Sequence, residues 1–126
     1  MDDSLRDLGD YYGRLVAHYT DGGFTDEAGD FIPGYKLRIS HWEVLNEIEG
    51  EHGLSPELYT RVYDAIVAGI QRWAPVGAAN MKFMGLALEG AGNINYVQVR
   101  ARLVTGEVAV VAASAPRTHQ MARSSR

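Results

Sequence analysis

Asn46 and Glu47 stand side by side at the end of an apolar run that contains Ile39, Trp42, Val44 and Leu45. A carboxyl group so placed can give a proton to a leaving group and take one back from water. An acidic, polar stretch follows, Glu49-Gly50-Glu51-His52-Gly53, and Ser55-Pro56 then open a strong helical pattern. A buried strand that ends on a carboxylate and passes into a loop is how α/β proteins bring catalytic groups to the carboxyl edge of a sheet.

The elements around this stretch must hold it. Leu5, Leu8, Tyr12, Leu15, Val16 and Tyr19 recur at helical spacing, which predicts a helix over Ser4 to Tyr19. Ser4 is its expected cap, and Asp2 and Asp3 suit the positive end of its dipole. Gly9 and Gly13 each weaken it by about 1 kcal/mol relative to alanine. Asp21-Gly22-Gly23 stops it.

Phe24 to Arg38 reads as a loop, broken by Gly29, Pro33 and Gly34 and pinned by Phe24, Phe31 and Tyr35. Ile39 to Leu45 is the first expected strand, apolar enough to be covered on both faces. From Ser55, with Pro56 at the first helical position, a helix buries Leu58, Val62, Ile66, Gly69, Ile70 and Trp73. It turns Glu57, Arg61, Asp64, Gln71 and Arg72 to water, and Pro75 ends it. Lys82 to Leu88 is the second strand. The middle of the chain therefore reads β-α-β, an α/β fold with parallel strands.

Bulk properties narrow the function. The chain has 126 residues, 46% of them apolar, and a net charge of −4. That is one domain with a real core, and its charge disfavours nucleic acid and anionic membranes as partners. With no cysteine there is neither a disulfide framework nor a thiolate zinc site. No apolar run reaches the roughly 18 residues of a membrane span.

Charge divides the chain near Asn93. Residues 1–93 carry 7 Lys and Arg against 15 Asp and Glu, whereas residues 94–126 carry 5 Arg against a single Glu. In the second part, Tyr96 to Val104 and Glu107 to Ala113 are β-prone, with Thr105-Gly106 as a hairpin turn. Ser114 to Arg126 is expected to be a disordered tail.

The segment Trp42–Glu47, WEVLNE, resembles the fourth-strand signature of clan-A glycoside hydrolases, whose barrels present an Asn-Glu pair at that strand's end. Tyr11–Glu27, Ser55–Val67 and Met81–Leu88 make the likeness greatest to the family-39 type, the β-xylosidase-like and α-L-iduronidase-like enzymes. The resemblance covers roughly residues 5–92. It implies a partial (β/α)8 barrel comprising a helix, strand 4, a helix and strand 5.

It also implies that Glu47 is the acid/base of a retaining glycosidase and that Asn46 holds the sugar 2-hydroxyl. The substrate would be a carbohydrate, with no cofactor and no metal. Many clan members follow Asn-Glu with proline, where this chain has Ile48. The family's nucleophilic glutamate belongs to a seventh strand, and a full barrel takes about 250 residues. The expectation is therefore a fragment, inactive by itself and prone to self-association. The change at Asn93 is what a shift of reading frame would produce. The alternative is a non-catalytic, oligomerising half-barrel.

Other residues compete for roles. His52 is a candidate substrate contact in the loop. Trp42, Tyr35 and Phe31 offer faces on which a sugar could stack, although core packing is the commoner fate of such rings. Trp42 is retained among the substrate contacts. His41 is expected to be a hydrogen-bonded core histidine, and His18 and His119 to be solvated. Glu49, Glu51 and His52 are too loosely spaced for a metal site. Gly90-Ala91-Gly92 lacks the following helix that a phosphate loop needs.

Overall fold

The computed structural model describes residues 5–85, 87 and 88. Ser4, Gly90-Ala91-Gly92, His119 and the expected hairpin and tail of residues 94–126 lie outside them. The described elements are α1 (Arg6–Thr20), β1 (Gly23–Thr25), β2 (Phe31–Pro33), β3 (His41–Glu43), α2 (Pro56–Trp73), α3 (Pro75–Ala78) and β4 (Lys82–Met84). They make a mixed α/β arrangement with two sheets of two strands each. β3 and β4 pair in parallel, with His41 opposite Lys82 and Glu43 opposite Met84, and α2 connects them.

α2 forms where the pattern places it. The Ser55 hydroxyl accepts from Leu58 N–H at 3.2 Å, and Pro56 occupies the first turn, where no N–H is needed. Val62, Ile66, Val67 and Ile70 are buried along one face with Val16, Ala17, Val44, Ile48 and Phe83. Leu58, expected on that face, is exposed in the first turn. Asp64 departs from the water-facing expectation. It is half-buried, and that burial raises its carboxyl above the ordinary range. Pro75 does more than stop α2, since it opens the single turn of α3. Among the described residues, no helix is long and apolar enough to cross a membrane.

α1 begins one residue later than Ser4 would allow. Leu5 is its cap residue, in a left-handed conformation with φ 56° and no side-chain capping bond. The glycines that weaken α1 in isolation have a purpose in the folded chain. A Cβ at Gly9 would strike the Ala65 carbonyl, one at Gly13 the Gly69 carbonyl, and one at Gly69 the Gly9 carbonyl. The two helices cross backbone to backbone, an approach only glycine permits.

The expected loop contains a short antiparallel hairpin, β1 with β2. Its turn closes on Asp26, whose carboxylate accepts from the N–H groups of Ala28 and Asp30, both at 2.9 Å. The chain then returns along the end of α1. Tyr35 N–H donates to the His18 carbonyl at 2.6 Å and Leu37 N–H to the Tyr19 carbonyl at 2.8 Å. These bonds satisfy two of the acceptors a helix leaves open at its C-terminus. Phe24 and Tyr35 do pin the hairpin, against Trp73 and against Tyr19 and His18 respectively. Phe31 is 64% exposed.

Asp21 ties two junctions together. Its carboxylate accepts from Val76 N–H at 2.9 Å and from Gly77 N–H at 2.8 Å, so the end of α1 caps α3 and sets the entry to β4. On the outer side, Asp10 accepts from Trp73 Nε1 at 2.7 Å and from the Arg72 guanidinium, with Arg6 3.7 Å away. Burial pushes the Asp10 carboxyl up, but the Trp73 and Arg72 hydrogen bonds and the charges of Arg72 and Arg6 outweigh it. The net effect holds the group below the ordinary range.

A carboxyl lowered by folding stabilises the fold fully above its unfolded value, about 3.9. That contribution disappears as the pH falls through the folded value. Thermal melts between about pH 6 and pH 2 should therefore fall less steeply on the acid side for Asp10→Asn than for the unaltered chain. Parallel acid limbs for the two proteins would remove this role from Asp10.

Candidate active site

β3 carries two different faces. Trp42 lies toward the helices, partly buried and edge-on to Tyr12 with ring centroids 6.5 Å apart. Phe83 of β4, its register partner, is buried on the same side. His41, Glu43 and Lys82 are exposed. The strand is thus helix-covered on one face rather than buried on both. His41 is not a core histidine: its Nδ1 lies 2.9 Å from the Ser40 hydroxyl at the surface. Trp42, expected to meet substrate, presents its ring to Tyr12 and the core.

Beyond Glu43 the chain holds to the sheet for one more residue, with Val44 N–H donating to the Met84 carbonyl at 2.9 Å. It then turns sharply. Leu45 has φ 62° and Glu47 φ 47°, left-handed conformations on both sides of Asn46. For residues other than glycine each costs on the order of 1–3 kcal/mol, and such strain gathers at functional sites. Neither residue is Gly, Asn or Asp, so the sequence carries no local signal for this turn.

The turn is anchored from below and closed from above. Ile48 is fully buried in the core, and its carbonyl accepts from Leu54 N–H at 3.0 Å. The Glu47 carbonyl accepts from Gly50 N–H at 3.1 Å and from Glu51 N–H at 2.9 Å. Between these anchors Asn46 is exposed and Glu47 half-buried, at the carboxyl edge of the parallel pair. His52 is exposed in the loop that follows, and Glu49 is half-buried. The structure therefore brings Asn46, Glu47 and His52 into one strand-end loop and sets Trp42 against the helix layer.

Among the described residues, no three His, Asp or Glu side chains converge as a metal cage. Glu43 is exposed at the end of β3, and the chain turns between it and Glu47.

Tyr59 was not legible as part of the site. Its hydroxyl donates to the Val44 carbonyl at 3.0 Å, in a buried position under the turn. No family model, curated protein or solved structure matches this chain.

Proposed function

We propose that this chain supplies the acid/base half of a retaining glycoside hydrolase site, on a β-α-β piece of a (β/α)8 barrel. Glu47 is the group that would protonate the leaving oxygen and then deprotonate water. Asn46 would hold the sugar 2-hydroxyl, and His52 would reach substrate from the loop. The substrate class is a xyloside or a related O-glycan. The observation that carries this reading is the Asn46-Glu47 pair on a strained, anchored turn at the carboxyl edge of two parallel strands. Trp42, against Tyr12, is the weakest of the expected sugar contacts.

In the family this reading draws on, the nucleophilic glutamate stands on a seventh strand, so the reading assigns it to another part of a complete barrel. The purified chain is expected to bind methyl β-xyloside at residues 46–52, seen as shifts of their amide signals. Asn46→Ala should weaken that binding about tenfold, the loss of one well-placed hydrogen bond or more. Aryl β-xyloside should not be hydrolysed faster by the chain than by Glu47→Gln. Hydrolysis abolished in Glu47→Gln would mean that the chain or its assembly furnishes the second carboxylate. Absence of binding at residues 46–52 would sink the reading.

A second reading, self-association without catalysis, is favoured by apolar surface around the hairpin. Phe31, Tyr35, Leu37 and Val76 are each more than half exposed. Sedimentation that changes with concentration in the absence of any sugar binding would favour it over the first.

A further inference from the structure

The Tyr59 hydroxyl is buried, with the residue only 3% exposed, and donates to the carbonyl of Val44. That carbonyl and the Leu45 N–H share one peptide plane, and the plane is rigid. Fixing where the carbonyl points therefore fixes the plane from which the chain swings into the left-handed conformation of Leu45. The same hydroxyl also lies against β4's end. A Cβ added to Gly85 would stand 2.6 Å from the Tyr59 oxygen and 2.8 Å from the Tyr63 ring. Tyr59 is thus wedged between the carboxyl ends of the two parallel strands.

Its own position is set by the start of α2. Tyr59 N–H donates to the Ser55 carbonyl at 2.8 Å, in the turn that the Ser55 side chain caps. The Asn46-Glu47 turn is consequently clamped at both ends, by Tyr59 on Val44 and by the buried Ile48 with its bond from Leu54.

We propose that Tyr59 is a positioning residue for Glu47: its hydroxyl, bonded to the Val44 carbonyl, holds the strained turn on which the acid/base stands. The proposal rests on the functional reading above for the role of Glu47. The turn itself can be tested without it.

Tyr59→Phe removes the hydroxyl and keeps the ring. In the unaltered chain, Leu45 and Glu47 should give the strong intraresidue amide-to-Hα cross-peaks of positive φ in NMR spectra. In Tyr59→Phe both cross-peaks should weaken, and methyl β-xyloside affinity should fall about fivefold, as for one missing hydrogen bond. Gly85→Ala, which crowds the hydroxyl from the other side, should weaken the same two cross-peaks. Asp21→Asn lowers stability at the opposite end of the strands and should leave both cross-peaks and the affinity intact.

A lower melting temperature in Tyr59→Phe with both positive-φ cross-peaks at full strength would overturn the proposal, since the hydroxyl would then only stabilise. Failure of the unaltered chain to bind xyloside, with the cross-peaks weakened in Tyr59→Phe, would overturn the glycosidase reading and leave the positioning of the turn standing.

Discussion

Gly69→Ala is expected to lower the melting temperature by about 10 °C, the equivalent of a net loss of about 2–3 kcal/mol. Two effects compete. Alanine in mid-helix gains about 1 kcal/mol over glycine. Against that, the new methyl would be driven into the carbonyl of Gly9, on a helix that cannot give way as a side-chain tip would. α1 must move off α2, and the packing of Val16, Ala17, Ile66 and Ile70 loosens with it. The clash wins because it is backbone on backbone. Ala68→Gly, one position earlier on an exposed face, should cost only about 1 kcal/mol from propensity. A Gly69→Ala protein as stable as the unaltered chain would mean that the helices do not cross at this point.

Ile48→Ala is expected to cost about 3–4 kcal/mol in denaturant unfolding, within the range for truncating a fully buried aliphatic side chain. Ile48 is one of the largest side chains with no exposure at all, yet it sits inside a polar segment between Glu47 and Glu49. It is the plug that pulls the strand-end turn onto the core. Its loss should reach beyond stability. The left-handed residues on the turn are tolerated only while both anchors hold, so amide signals of residues 45–47 should broaden in Ile48→Ala even where the rest stays folded. A cost below about 1 kcal/mol would place Ile48 outside the core. A proline here would lack the long apolar branch that this turn buries.

Much of the frame could be read from residue types. Ser55-Pro56 and the apolar positions through Trp73 specified α2 almost to the residue, because a cap, a proline and a buried stripe all agree there. The parallel pairing of β3 with β4 followed from the helix between two apolar runs. The hairpin at Gly23–Pro33 was missed because its strands are three residues each and mostly exposed, leaving no alternation to detect. The burial of Trp42 against Tyr12 and the exposure of His41 depended on which face of β3 the helices cover, a tertiary outcome. At the site, Asn46 and Glu47 were visible as types. The conformation that sets them apart was not, since Leu45 and Glu47 are ordinary residues forced into uncommon backbone angles by Ile48 and Tyr59.

The return of the chain along the end of α1 links two elements that would otherwise open separately. The carbonyls of His18 and Tyr19 are held by Tyr35 and Leu37, and Gly22 exchanges backbone bonds with Gly34 and Tyr35. The last turn of α1 cannot fray without lifting the hairpin, and the hairpin cannot lift without exposing those carbonyls. Helix end and hairpin therefore form one cooperative unit of local unfolding, distinct from the strand-end turn that carries Glu47.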